Sequence, residues 1–456
     1  MIRLGDTDVD YDPSFRLYMT TKLSNPHYMP DVCIKVTLVN FTVTMKGLED
    51  QLLGDVVRKE RADLEEQNDR LVVSISSDKK QLKDLEDKIL KLLKESQGNI
   101  LDDEVLINTL NNSKLTSSVI QSRVKQAEIT EKDITAAREQ YRVVAKRGSI
   151  LYFVISDLAL IDSMYQYSLK FFCHLFNHCI DGCEKSDELD TRLALLINYI
   201  TEVVYLNMSR GLFEEHKLTF SLLICTSIMR AACQISEDEW NFLLRGSNAT
   251  GAKQGIHLNP APKLIPDAAW QSVCALEEVS KDTFSGLTDS IVTNFKSWKP
   301  FLEMNEPHNS PLPDDWDKKL EQFQRLLLIK CLREEKFVYA CEVFIKNNLG
   351  SQFVGSIPLQ LDEVFKDTSN TTPIIFILST GADPTGILQR FGERVDRKPG
   401  ERLHIISLGQ GQGPIAEMLV SKSRKTGDWV CLQNCHLASS WMQTMERIIE
   451  RFQSEA

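Results

Sequence analysis

The sequence predicts an α/β plus α protein, in which parallel sheets are joined by a large helical domain that carries a long antiparallel coiled-coil hairpin. Apolar residues recur at alternating steps of four and three over residues 71–92, which is the spacing of a coiled-coil seam. A much more apolar helical region follows at 149–245. Short apolar runs then alternate with helical patterns from residue 373 onward, as in parallel sheets.

Bulk composition excludes several classes of protein. The 456 residues suffice for about two to four domains of roughly 150 residues each. A net charge of −11 argues against a general nucleic-acid-binding surface. The most apolar window, 218–235, is interrupted by Arg230, so we expect a buried helix rather than a membrane span. Residues 1–20 lack the apolar core of a secretory signal, and the eleven cysteines do not suggest a closed disulfide framework.

The first 47 residues are rich in β-forming residues. FRLYMTT (15–21) and VCIKVTLVNFTVT (32–44) are predicted strands separated by a loop, and the second alternates apolar and polar positions. Because no helix precedes them, we expect the chain to begin inside a sheet.

A helical hairpin is predicted over residues 48–148. Its first seam contains one polar residue among seven positions: Leu71, Ile75, Asp78, Leu82, Leu85, Ile89 and Leu92. Gly98 is a predicted helix stop, and a second helix follows at about 102–147. Its seam is weaker: Leu106, Leu110, Ile120, Val124, Ala127, Ile134 and Tyr141. Gly148 should end or kink this helix. Ordinary amphipathic helices in a bundle would show the same spacing.

The middle and the end of the chain complete the prediction. A packed helical region is expected at 149–245, with loops at 246–267 and 303–315 and further helix within 316–349. Beyond it we predict strands at 374–378, 403–408 and 429–434. Each is followed by a helix, at 385–395, 414–425 and 439–452.

The turn after the first of these strands has the glycine frame of a phosphate-binding loop. Gly381 and Gly386 enclose four residues, and we interpret both as turn glycines. A working loop continues with Lys, which reaches the phosphates, and Ser or Thr, which binds magnesium. The corresponding residues are Ile387 and Leu388.

Two residues inside the glycine frame also oppose phosphate binding. Asp383 places a negative charge in the loop, and Pro384 removes a backbone N–H donor. The strand at 429–434 ends in Gln433 and Asn434, where the metal-binding strand of such an enzyme ends in acidic residues. Together these features predict a nucleotide-binding fold that has lost hydrolysis, with no catalytic residues.

Two other motifs resemble ligand sites. SLGQGQGPI (407–415) lacks the third glycine of a dinucleotide-binding turn, so a tight connection between strand and helix is favoured. CHLFNHCIDGC (173–183) offers possible zinc ligands: Cys173, His174, His178, Cys179 and Cys183. Without a Cys-x2-Cys knuckle, buried cysteines beside partly exposed histidines are favoured, for this motif and for CLQNCH (431–436), and we predict no metal site.

Long stretches of the chain resemble a known protein family. FRLYMTTKLSNPHYMPDV and VNFTVTMKGLEDQLLGDVVRKERADLEEQ resemble the fifth AAA+ module of dynein heavy chains. FILSTGADPTGILQRF, SLGQGQGPIAEMLV and DWVCLQNCHLASSWM resemble the sixth. GSILYFVISDLALIDSMYQYSLKFF is more similar to axonemal than to cytoplasmic dyneins.

The resemblance implies a domain organisation. Residues 1–47 would be the C-terminal remnant of the fifth AAA+ large domain, with Thr20, Thr21 and Asn25 at a sensor-like strand end. Residues 48–148 would be the hairpin of the buttress region, which braces the stalk. Residues 149–302 would be the helical small domain and its connection. Residues 316–456 would be the sixth AAA+ large domain, incomplete at its C-terminus, so both P-loop-type sheets would be incomplete.

The resemblance also implies a function. The segment would not hydrolyse ATP and would relay ring movement to the stalk of a minus-end-directed ciliary motor. It would need no cofactor itself, while ATP and magnesium bind other modules of the parent. Its partners would be neighbouring modules and the stalk, microtubules indirectly, and dynein intermediate and light chains through the parent. It would be found in the cytoplasm and cytoskeleton, at the axoneme.

Two other functions stay open from the residues alone: an atypical P-loop ATPase and a coiled-coil scaffold protein. We further expect the isolated chain to be poorly stable, because incomplete sheets leave strand edges and apolar faces uncovered.

Overall fold

The computed structural model separates into two compact units, residues 1–355 and 356–456, called here the N-terminal and the C-terminal unit. It describes residues 2–4, 7–9, 12, 14–21, 27–95, 104–246, 258–355, 361–379, 381–409 and 411–454. The domain boundaries predicted from the sequence are finer than this division and stay predictions.

The N-terminal unit is almost entirely helical in its described residues. A short antiparallel hairpin, β1 (Ile2–Leu4) and β2 (Thr7–Val9), stands at its start. Its helices are α1 (Pro30–Cys33), α2 (Met45–Glu60), α3 (Ala62–Glu95), α4 (Glu104–Glu139), α5 (Arg142–Asp157), α6 (Leu169–Gly182), α7 (Leu189–Ser209), α8 (Glu214–Ala231), α9 (Glu237–Arg245), α10 (Asp267–Val279), α11 (Lys281–Phe284), α12 (Leu287–Thr293), α13 (Phe295–Glu303), α14 (Trp316–Lys319), α15 (Gln322–Leu332) and α16 (Phe337–Asn348).

The C-terminal unit alternates helices and strands. Its elements are α17 (Leu361–Lys366), α18 (Thr385–Arg394), β3 (Leu403–Ser407), α19 (Gly413–Thr426), β4 (Trp429–Gln433) and α20 (Met442–Ser454). The two strands pair in parallel, from Leu403 opposite Trp429 to Ser407 opposite Gln433. This order confirms a small parallel sheet and the three helices predicted to follow the strands.

The predicted strand at 374–378 is wrong. These residues belong to no strand, and Ile375 is 82% exposed. A strand is stabilised only when a neighbour accepts and donates its backbone hydrogen bonds, and no described residue pairs with this segment. An apolar run alone therefore did not suffice to form a strand.

The predicted strands at 15–21 and 32–44 are also wrong. Residues 15–21 have no regular structure and 37–44 have none either, while α1 covers part of the second segment. Thr20 and Thr21 are exposed and end no strand, and Asn25 lies outside the described residues. The β-forming composition is present, but within the described residues no partner strand completes a ladder.

The two long helices α3 and α4 run antiparallel. Arg138 of α4 binds Glu65 near the start of α3, and Arg123 binds Asp78 farther along. Seam positions such as Ile75 and Ile120 are buried between the helices. The pairing of the predicted hairpin is therefore present, while its coiled-coil character stays a prediction. The side chains of Ile89, Leu92, Leu106 and Leu110 lie outside the described residues.

The second long helix ends earlier than predicted. It breaks after Glu139, and α5 starts at Arg142. Gly148 neither ends nor kinks a helix, because it lies inside α5. A Cβ there would stand 2.6 Å from the Phe176 ring and 3.0 Å from Leu52 Cδ1. Glycine thus lets α5 pack closely against α6 and α2.

The core of the N-terminal unit lies among α5, α6, α7 and α8. Tyr205 stacks against Phe220 and its hydroxyl donates to the Phe353 carbonyl at 3.1 Å. Helix α8 is buried along Phe220 and Ile224, as predicted for the most apolar window. Among the described residues, no helix combines the length and apolarity that crossing a membrane requires.

Candidate functional site

The candidate site lies where α18 begins, beside the carboxyl ends of β3 and β4. Gly381 has a φ of 86°, a left-handed conformation that favours glycine, so it is a turn glycine as predicted. Gly386 is the second residue of α18 and a Cβ there would meet nothing within 4 Å. The interpretation of Gly386 as a turn glycine is therefore wrong.

Asp383 lies two residues before the first residue of α18. Its Oδ1 accepts the backbone N–H of Thr385 at 2.9 Å. Hydrogen bonds from the side chain and the backbone of Thr385 hold the pKa of Asp383 below its usual value. The free N–H groups of a helix start are the groups that bind phosphate. Here a carboxylate already takes one of them, and Pro384 has none to offer.

The strand-end residue Gln433 meets the loop directly. Its Nε2 donates to Thr385 Oγ1 at 2.8 Å. The glycine-framed loop and the end of β4 both differ in sequence from those of a hydrolytic site, and this hydrogen bond brings them into contact. A neutral amide and a neutral hydroxyl join the loop to the strand end, and such a bond stabilises by about 1 kcal/mol.

Asn434 makes a second link along the same edge. It has a φ of 55°, and its Nδ2 donates to Ser407 Oγ at 2.9 Å. The Leu408 backbone N–H also donates to the Gln433 carbonyl at 2.8 Å. The carboxyl ends of β3 and β4 are therefore tied to each other as well as to the loop.

Ile387 and Leu388 lie in the first turns of α18. Ile387 is half exposed and lines an open depression with Arg390 and Phe391. Apolar side chains at these two positions supply neither the ammonium nor the hydroxyl that a phosphate and magnesium require. Glu393 and Arg394 complete the lining of this depression.

The glycine-rich turn after β3 is a close-packed connection. Gly411 has a φ of 77°, and a Cβ on Gly413 would stand 2.7 Å from Trp441 Cδ1. Helix α19 opens at Gly413 with Pro414 in its first turn. The glycines thus permit a turn and a close contact with the indole, in agreement with a tight strand-to-helix connection.

The cysteines and histidines of α6, and Cys183 just after it, differ in burial. Cys179 and Cys183 are buried, whereas His174 and His178 are exposed; Cys173 is half-buried. Burial also raises the pKa of Cys431 and Cys435. Within the described part of the chain, no three potential metal ligands gather. The favoured interpretation of buried cysteines beside exposed histidines agrees with this arrangement.

Thr385 is the residue that sequence reasoning missed. In the sequence it is only one of the four residues between the two glycines, yet its hydroxyl and its N–H both take part in the loop. The available signal in the sequence was a hydroxyl side chain directly before Gly386. The pairing with Gln433, 48 residues away in sequence, gave no local signal.

Two family models of dynein heavy chains match the two ends of the chain. Residues 1–120 match the family model of the ATP-binding dynein motor region. Residues 369–456 match that of the dynein heavy chain region D6 P-loop domain.

Curated relatives match almost the whole chain. Human dynein axonemal heavy chain 6 is 49% identical over 475 residues, covering 99% of this chain and 11% of the relative. Human dynein axonemal heavy chain 1 is 45% identical over 450 residues, with 99% and 10% covered. The Chlamydomonas reinhardtii dynein-1-beta heavy chain of the flagellar inner arm I1 complex is 40% identical over 455 residues, with 100% and 10% covered. The chain therefore spans about a tenth of the length of these relatives.

Proposed function

The chain belongs to the axonemal dynein heavy chains, and on this premise we propose that it is a non-hydrolysing segment of the motor ring. In this role it relays movement driven by ATP at other modules to the microtubule-binding stalk of a minus-end-directed ciliary motor. The chain works in the axoneme, as part of the cytoskeleton.

The contact between Gln433 and Thr385 carries this proposal. In a hydrolytic module the loop and the strand end are connected through magnesium and phosphate. Here a direct hydrogen bond of 2.8 Å connects them, with Asp383 on the helix start. This bond links the loop to the strand end through protein atoms, which supports a role in transmitting force.

The long helices support the mechanical half of the proposal. Helices α3 and α4 contain 34 and 36 residues, so each is about 50 Å long at 1.5 Å per residue. Helix α2 packs against α5 at their base. Two paired helices that are attached to a packed helical body can transmit a movement along their length.

The proposal includes specific partners and cofactors. Neighbouring AAA+ modules and the stalk of the parent chain are the direct partners, and microtubules are reached through the stalk. Dynein intermediate and light chains associate through the parent. ATP and magnesium act at other modules, and this segment needs no cofactor of its own.

Titration with a fluorescent ATP analogue, with and without magnesium, tests the proposal. We expect no magnesium-dependent saturation below the millimolar range. The same titration on the Gly381→Val and Gly386→Val variants gives the matched baseline. If the unchanged chain binds submillimolar nucleotide with magnesium, and either substitution abolishes that binding, the chain is an atypical P-loop ATPase instead.

A further inference from the structure

Arg147 lies at the contact between α5 and α7 and has almost no partners. It is half-buried, and Nη1 donates to Thr201 Oγ1 at 3.0 Å. Burial lowers the pKa of Arg147, with no carboxylate opposing that effect. In the described part of the chain, no acidic oxygen comes within ion-pair distance of it. A guanidinium has five N–H donors, so most of the donors of Arg147 bind no described protein atom.

Three other buried or half-buried arginines of the unit are paired. Arg192 binds Glu60 through two nitrogens and also donates to the Cys183 carbonyl. Arg142 binds Glu49 at 2.8 Å and Asp50 at 2.9 Å. Arg138 donates to Glu65 at 3.2 Å, and a second nitrogen lies 2.8 Å from Glu65 off the hydrogen-bonding direction.

Arg147 is half-buried yet forms no ion pair within the described residues, so it departs from the pattern of the unit, in which such cations are paired. Thr201 cannot supply the missing charge, because its hydroxyl is neutral and already donates to the Ile197 carbonyl at 2.7 Å.

The surroundings of Arg147 indicate what it binds. Val143, one helical turn away, is half exposed, and Lys146 beside it is exposed, with its Nζ donating to the Ala231 carbonyl at 3.1 Å. Two cations next to an apolar side chain fit an acidic segment with an apolar neighbour. The curated relatives continue for about nine-tenths of their length outside this region, so such a segment has ample origin in the same polypeptide.

We propose that Arg147 is a docking site for a carboxylate of the same heavy chain, contributed by a segment outside residues 1–456. The bidentate guanidinium–carboxylate pair would complete the unused donors of Arg147 and fix this segment against α5. This inference rests on the proposal that the chain works inside a longer heavy chain. It does not depend on whether the loop at Gly381 binds nucleotide.

Carbodiimide crosslinking of an Arg147→Lys heavy chain tests this site, because the reagent joins an amine to a touching carboxylate with loss of water. Mass spectrometry should find position 147 joined to an acidic peptide outside residues 1–456. The 456-residue chain alone should not give this product. The Arg138→Lys variant is the control, since it should crosslink to Glu65 in both proteins.

Three results would overturn the site: no crosslink in the whole heavy chain while the control reacts, a crosslink to a carboxylate within residues 1–456, or a crosslink to a second copy.

Thermal unfolding gives an independent check. Arg147→Met should change the midpoint of the 456-residue chain by less than about 2 °C, whereas Arg192→Met should lower it clearly, because Glu60 loses its partner. Equal losses would make Arg147 a structural residue. Nucleotide binding at Gly381 would refute the proposed function and leave the crosslink standing.

Discussion

Individual hydrogen bonds connect the residues at the carboxyl edge of the small sheet. The missing lysine and acidic residues were visible in the sequence, because their positions follow from the glycine frame and from the strand end. The replacement contacts were not visible, since a hydrogen bond between Thr385 and Gln433 depends on packing across 48 positions. The sequence thus predicted which chemistry was lost, while only the structure shows how the edge is held.

Replacing Gln433 with Ala should loosen this edge. The variant loses the bond to Thr385 Oγ1, so we expect the free energy of unfolding of the C-terminal unit to fall by about 1 kcal/mol. Urea unfolding followed by Trp fluorescence measures this, because Trp429 and Trp441 lie in that unit. Gln443→Ala, at an exposed position of α20, is the control. Equal stability of both variants would show that the bond contributes nothing.

Helices were predicted far better than strands, for a physical reason. A helix satisfies its own backbone hydrogen bonds, so the apolar spacing of α3 and α4 is enough to indicate it. A strand needs a neighbour, and residues 32–44 and 374–378 have the right composition without a described partner. The break at Gln140 and Tyr141 was also missed, because Tyr141 is buried and continues the seam of the helix before it.

The polar position in the seam of α3 gives a prediction at the level of this element. Asp78 is 4% exposed, while the side chain of its partner Arg123 is 59% exposed. Asp78→Leu should stabilise the helix pair by about 1–3 kcal/mol, because leucine fills the apolar seam and Arg123 remains hydrated. Chemical unfolding followed by circular dichroism at 222 nm measures the change. Asp84→Leu, at an exposed position of α3, is the control.

Loss of stability in the Asp78→Leu variant would contradict this reasoning. It would show that the ion pair with Arg123 contributes more than an apolar contact at the same place. A polar seam residue also specifies the register of paired helices. A variant that is more stable but samples several registers would assign that role to Asp78.

Both units expose apolar side chains, but they differ in the core that holds them together. In the C-terminal unit Ile374, Ile375, Ile377 and Leu378 are all exposed, and its sheet has two described strands. The N-terminal unit also exposes apolar side chains such as Tyr18 and Phe41, but Phe172, Phe176, Tyr205 and Phe220 of α6, α7 and α8 are fully buried in its core. A small sheet with uncovered apolar residues buries little area per residue. We therefore expect the C-terminal unit to open first on heating.

Cysteine labelling at pH 8 during heating tests this order. Burial raises the pKa of Cys225 and Cys331, in the N-terminal unit, to about 12, so both thiols stay protonated and inert until that unit unfolds. Burial raises the pKa of Cys431 and Cys435 as well, and opening of the C-terminal unit should return it to the ordinary range. Iodoacetamide should then modify Cys431 and Cys435 several degrees below Cys225 and Cys331. Exposed Cys233 reports the intrinsic rate throughout. Simultaneous labelling of all four thiols in one sharp transition would mean that the two units unfold as one and that the exposed segment at 374–378 does not weaken the chain.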